Sequence, residues 1–214
     1  MSFSLPDGSR VQVASLYAAS KPITAISNAS PAVATSAAHG LSAGDYLELT
    51  ATWPKLTDRI VKVGAAPATD TFKLEGIDST KTTIYPVGVT GSFRKISAWQ
   101  DVPQVLTVDT SGGETKFVTV QFLEDEDEKQ APGGKSAAAI KLTMADDPSQ
   151  PYYATLRAAD EAKEPIALRI ILPAGRGELL YNCLVSFNDS PKLGKGSVMT
   201  VEASMPLKAK FTRY

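Results

Sequence analysis

The chain has 214 residues, with Lys+Arg 22 against Asp+Glu 23 and a formal net charge of −1. Hydrophobic residues make up 43% and charged residues 21%, an ordinary globular composition that excludes a disordered chain and disfavours a strongly basic nucleic-acid binder. A single cysteine, Cys183, and a single histidine, His39, exclude an intramolecular disulfide, a cysteine-rich zinc site and any mechanism that needs two histidines. No apolar run reaches about 18 residues, so no membrane-inserted helix is expected. Met1 to Asp7 carry neither a basic nor an apolar signal region, so folding in a cytosol-like compartment is expected.

The dominant period along the chain is two. Val11 to Tyr17 reads as a first strand. Residues 21–96 are rich in Ala, Thr, Ser and Gly. Short β-like runs at Tyr46–Leu49, Arg59–Val63 and Thr71–Leu74 are separated by turn signals at Asn28, Pro31, Gly40, Gly44, Gly64, Gly76, Gly88 and Gly91. This spacing predicts a small closed or nearly closed β-module, bounded by Pro22 and by Arg94–Gln100. Further on, Leu106 and Val108 alternate with Val105, Thr107 and Asp109. Ser111-Gly112-Gly113-Glu114 reads as a hairpin turn, with Val118, Val120 and Phe122 on the return strand. Residues 124–134 read as an acidic, Gly-rich loop, and Ala138, Ile140, Leu142 and Met144 mark another strand.

One helix is expected, over about 150–162. Asp147-Pro148-Ser149-Gln150-Pro151 is a start signal, Tyr152, Leu156 and Ala159 form an apolar stripe, and Pro165 ends the segment. Three alternating runs follow: Ile166–Leu172, residues 178–188 with Leu179, Tyr181, Cys183, Val185 and Phe187 in phase, and residues 197–205 with Met199, Val201, Ala203 and Met205 in phase. They read as an antiparallel meander.

Catalytic chemistry finds no support. His39 stands in a turn, no Gly-x-Ser-x-Gly elbow exists, and Gly194-Lys195-Gly196 lacks the rest of a phosphate-binding loop. Cys183 lies in an apolar phase, as a buried small residue would. No catalytic residue, metal or cofactor is expected. The most unusual feature is Glu124-Asp125-Glu126-Asp127-Glu128, which lacks the ligand spacing and central glycine of a calcium loop. Five carboxylates in a row read first as a solvated loop. The terminal segments 1–10 and 206–214 read as frayed ends or as arms that order on assembly, with Phe3 and Leu5 as anchors.

The order of hairpin, acidic loop, strand, single helix and three strands over 100–210 resembles the tail-tube proteins of long-tailed bacteriophages. The stretch Tyr152–Asp160, then Ile166 to Leu172, then Gly177 to Phe187 carries the likeness. A second resemblance, on Ile23–Thr35, His39-Gly40-Leu41, Gly44-Asp45, Thr71–Gly76 and Ser92–Ile96, is to a small β-barrel module that recurs in phage virion proteins.

Together these imply a mainly β fold: a β-sandwich or barrel with one flanking helix, formed by 1–20 and 97–214, plus the small module 21–96 inserted near the N-terminus. They also imply a structural, non-enzymatic protein of a siphovirus-like virion, assembled in the host cytoplasm. Six copies would form a ring, and stacked rings a tube through which DNA passes without specific binding. The implied partners are further copies of the chain, a tape-measure protein inside, and tail-tip and tail-terminator proteins at the ends. The acidic run would set ring stacking or face the lumen, with Lys192, Lys195, Lys208 and Lys210 as candidate counter-charges. The polar strand faces, Thr119 and Gln121 with Thr200, Glu202 and Ser204, are the lumen candidates. The alternatives are a carbohydrate-binding β-module of a tail fibre or adhesin, which an exposed aromatic cluster would favour, and a type VI secretion-like tube or tail terminator.

Overall fold

A computed structural model of the chain describes residues 7–124 and 126–214. Phe3, Leu5 and Asp125 lie outside the described residues. The strands are β1 (Arg10–Tyr17), β2 (Lys21–Ile23), β3 (Ala25–Ile26), β4 (Val33–Thr35), β5 (Tyr46–Ala51), β6 (Ile60–Lys62), β7 (Thr71–Lys73) and β8 (Gly91–Val102), then β9 (Val105–Ser111), β10 (Thr115–Val120), β11 (Lys129–Lys135) and β12 (Ala139–Ala145). After the helix α1 (Pro151–Ala162) come β13 (Ile166–Ile171), β14 (Glu178–Cys183), β15 (Ser186–Lys192), β16 (Thr200–Pro206) and β17 (Thr212–Arg213). The fold is mainly β with one helix, as the alternation predicts.

Two sheets enclose the main core. One has the order β17-β14-β13-β1-β8-β5-β6, with β2 also on β8, and is barrel-like and nearly closed. The other has the order β15-β16-β12-β9. Ile140, Leu142 and Met144 of β12 and Val201, Ala203 and Met205 of β16 are buried against Val13, Leu168 and Leu180 of the larger sheet. Fully burying each of the large side chains contributes about 1.5–3 kcal/mol. The helix begins with Gln150 as N-cap and Pro151 in its first turn, where a missing N–H costs nothing. It buries Tyr152, Tyr153 and Leu156 and ends at Lys163 in the left-handed conformation.

A second hydrophobic cluster gathers Ile23, Ile26, Leu47, Leu49, Trp53, Phe72, Leu74 and Phe93, all within 21–96. Its strands are the three-stranded sheet β3-β4-β7 and the far end of the large sheet. The boundary expected at 96/97 falls inside β8, which pairs with β2 and β5 through Gly91–Lys95 and with β1 through Ile96–Val102. One unbroken strand therefore serves both clusters.

Three expectations are corrected. Ser111–Glu114 is not a hairpin turn: β9 pairs with β12, and β10 pairs with β11. The chain runs through Gly112 and Gly113 into a second length of the same ribbon. Gly112, at φ +73°, is required there, because a Cβ would sit 1.9 Å from the Ala137 carbonyl oxygen. Secondly, 124–134 is not all loop, since Lys129–Lys135 is β11. Thirdly, the last strands are no simple meander. β13 pairs with β14 and β15 pairs with β16, but β14 and β15 lie in different sheets. The chain switches sheets at Leu184–Val185, while Tyr181, Cys183, Val185 and Phe187 all stay buried in the shared core.

Candidate assembly surface

The ribbon formed by β10 and β11 has no core beneath it. Every residue of β11 is exposed, and Phe117 and Phe122 are 60% and 55% exposed. Cross-strand pairing puts Phe117 with Pro132 and Thr119 with Gln130 on one face, and Val118 with Ala131 and Val120 with Lys129 on the other. A lone two-stranded ribbon is marginal in water, so the arm has little packing of its own to hold it. Glu124, Glu126, Asp127 and Glu128 sit exposed at its tip, between β10 and β11. Thr119 and Gln121 lie on this arm, away from the other lumen candidates.

Thr200, Glu202 and Ser204 come together on the polar face of the four-stranded sheet. Their cross-strand neighbours are Ala145, Thr143 and Lys141 of β12, and Lys192, Asn188 and Ser186 of β15. Glu202 accepts hydrogen bonds from Lys192 Nζ at 2.5 Å and from Lys141 Nζ at 2.9 Å, and these donors hold its carboxyl below the usual carboxylate range. On β9, Thr107 and Asp109 continue the face, opposite Thr143 and Lys141. The sheet thus presents an apolar face to the core, a polar face with paired charges outward, and two seven-residue edges, β9 and β15, each paired on one side only.

A residue pattern that periodicity does not reveal joins the two hydrophobic clusters. Glu178 of β14, almost buried, accepts the Tyr46 hydroxyl at 2.7 and 2.8 Å and Arg169 Nε at 2.6 Å. The Arg169 guanidinium lies over the rings of Tyr46 and Trp99. Burial and the neighbouring Glu178 carboxylate push the Tyr46 phenol well above its ordinary value. Beside it, Glu48 accepts from Arg94 and, at 3.0 Å, from Asn182 Nδ2. The Tyr214 hydroxyl accepts from the Lys62 N–H and donates to the Glu75 carbonyl. These contacts lock 46–62 onto β13, β14 and the C-terminal residues.

Residues 51–214 match the family model described as phage tail tube protein, TTP. The chain belongs to that family. It is a structural protein of the virion tail, from a family that assembles with itself into a tube and is typically non-enzymatic. Comparison with curated proteins returned no match. The match begins inside β5 and takes in the second half of 21–96 as well as everything after it.

Among the four candidate counter-charges of this tail tube protein, Lys192 pairs with Glu202 and Lys208 with Asp58 at 3.7 Å, whereas Lys195 and Lys210 make no ion pair among the described residues. The tryptophans form no exposed platform. Trp53 is buried and donates to the Pro86 carbonyl, and Trp99 stands edge-on to Tyr46. No helix among the described residues is long and apolar enough to cross a membrane. Sequence reasoning missed one surface feature: Leu193, Val198 and Met199 stand exposed in the Gly- and Ser-containing connection between β15 and β16. The signal was present, as large apolar residues beside Gly194 and Gly196, but Val198 and Met199 fit the alternation of the strand that follows.

Proposed function

We propose that six copies of this chain form a ring, and that rings stack into the tail tube through which DNA leaves a siphovirus-like virion. The observation that carries the reading is the four-stranded sheet with its two free edges. An unprotected edge invites another chain, and joining β9 of one copy to β15 of the next around a ring removes every such edge. The polar face, with Thr200, Glu202, Ser204, Thr143 and Asp109, then lines the channel. Because Lys141 and Lys192 share Glu202, and Asp109 stands opposite Lys141 on the same face, two carboxylates balance the two lysines; the lining then offers phosphate no uncompensated basic stripe, and DNA slides rather than binds. The arm and its acidic tip contact the neighbouring ring. Residues 21–96 form an inserted module that projects outward, held by the Glu178 and Glu48 contacts. A tape-measure protein occupies the channel during assembly, and tip and terminator proteins cover the two ends, all in the host cytoplasm.

Electron microscopy of the purified protein across a concentration series tests this. Hollow stacked rings with sixfold end-on symmetry are expected. Solid filaments, open sheets or a different symmetry would refute the ring.

A further inference from the structure

The far end of the ribbon from the arm carries an apolar depression. Leu106 of β9, Leu193 and Val198 line it, with Lys192, Gly194, Ser197 and Thr200, around a volume of about 440 Å³. Leu193 and Val198 are 74% and 64% exposed, and no described residue covers them. The arm tip presents the converse surface. Phe122 and Leu123 are exposed and are followed at once by the acidic run. The depression has Lys192, which Glu202 holds, on its rim, and in the same connection Lys195, which makes no ion pair among the described residues. The Asp146–Asp147 segment meets this connection at Met199, and hydrogen bonds from Ser149 and Gln150 keep the Asp147 carboxylate ionised within its own turn. The apolar surfaces are complementary between the two sites, and Lys195 offers the acidic run a cation.

The two sites lie at opposite ends of one ribbon and do not touch among the described residues. β9 runs from Leu106 toward Ser111, and β10 carries the ribbon onward to Phe122. At strand rise, Leu106 and Phe122 are separated by up to roughly 50 Å. A contact between opposite ends of one element is heterologous, so it repeats without closing and builds a filament.

Building on the tube reading above, we propose that the arm tip of one copy seats Phe122 and Leu123 in the Leu106–Leu193–Val198 depression of a second copy, with Glu124, Glu126 and Glu128 facing Lys195. This sets the polarity of the tube and limits its axial repeat to roughly 50 Å.

The full-length chain carrying both Leu123→Cys and Leu193→Cys tests the contact. Cys183 is buried and stays silent. Under air oxidation the double variant should form a ladder of dimers, trimers and larger species on a non-reducing gel, and each single variant no more than dimers. Absence of the ladder at every concentration overturns the proposal. A mixing experiment adds a second arm. Phe122→Asp with Leu123→Asp spoils the tip, and Leu193→Asp with Val198→Asp spoils the depression. All four positions are exposed, so each variant should keep the wild-type far-ultraviolet spectrum. Each alone should need at least about tenfold more protein to stack, while a 1:1 mixture should form pairs that do not extend. Unchanged stacking by either variant overturns the proposal. A ladder without rings would sink the ring reading and keep this contact; rings and tubes without a ladder would do the reverse.

Discussion

Replacing Glu178 by Ala is the sharpest test of how this tube protein holds its two hydrophobic clusters together. Glu178 is one of few buried charged residues, and it accepts from Tyr46 on β5 and from Arg169 on β13. Removing it leaves a mostly buried guanidinium, a phenol and the Lys62 ammonium without their partner. Breaking a buried pair in this one-sided way costs about 3–5 kcal/mol. For a chain of this size that lowers the melting temperature by roughly 6–20 °C. Arg10→Ala is the control: its pair with Asp101 is of similar length, 3.0 Å, but more than half exposed on both sides, so it should cost about 0–1 kcal/mol. Urea titration followed by tryptophan fluorescence reads the loss directly, because Trp99 lies beside Arg169. The double variant Arg169→Met with Glu178→Met should be less destabilised than Glu178→Ala, since the guanidinium goes with its acceptor and only the more exposed Lys62, 3.7 Å from Glu178, loses a partner. A cost below about 1 kcal/mol for Glu178→Ala would refute the view that this buried pair fastens 46–62 to β13 and β14.

Other predictions follow from the arm, the lining and the core. Gly112→Ala should raise hydrogen exchange through 115–135 and block tube growth, because the new Cβ meets backbone and the left-handed conformation adds about 1–2 kcal/mol. Gly113→Ala should be milder, since its Cβ would be 3.6 Å from Ala138 Cβ; equal effects would count against the ribbon bend. Changing Glu124 through Glu128 to Ser should shorten tubes and reduce their yield while leaving monomer melting unchanged, and normal tubes would remove the stacking role. Glu202→Gln should free Lys141 and Lys192 and make tubes retain duplex DNA at low salt in a filter-binding assay; no salt-dependent retention would count against a channel-lining Glu202. Burial pushes the Cys183 thiol up to about 12 from an ordinary value near 9. The folded state therefore keeps a proton that the unfolded chain loses, so stability is full below about pH 9 and falls as pH rises toward 12. Cys183→Ala should remove about 1.4 kcal/mol per pH unit of that slope, measured by urea unfolding at stepped pH.

Much of this protein is legible from its residues alone. Alternation of period two follows from the pleat, so Ile166–Leu172 and Val201–Met205 declared both their strand state and their core face. The helix announced itself through Pro151 and the Tyr152–Leu156 stripe, because a 3.6-residue period and a proline in the first turn have no strand reading. The acidic run was visible as charge, and its place at a solvated tip follows from mutual repulsion.

Pairing was decided only in three dimensions. Period two says which side of a strand meets the core, not which strand lies beside it. The residues from Tyr181 to Phe187 therefore looked like one strand although they cross between two sheets sharing one core. Gly112-Gly113 carried a turn signal, but a positive φ serves a hairpin and a ribbon bend equally, and the deciding neighbour, Ala137, is far along the chain. The Glu178–Arg169–Tyr46 contact and the Leu106–Leu193–Val198 depression each join segments with no local pattern in common. Sequence fixes what each residue prefers to face; the closing of distant strands on one another decides what it finds there.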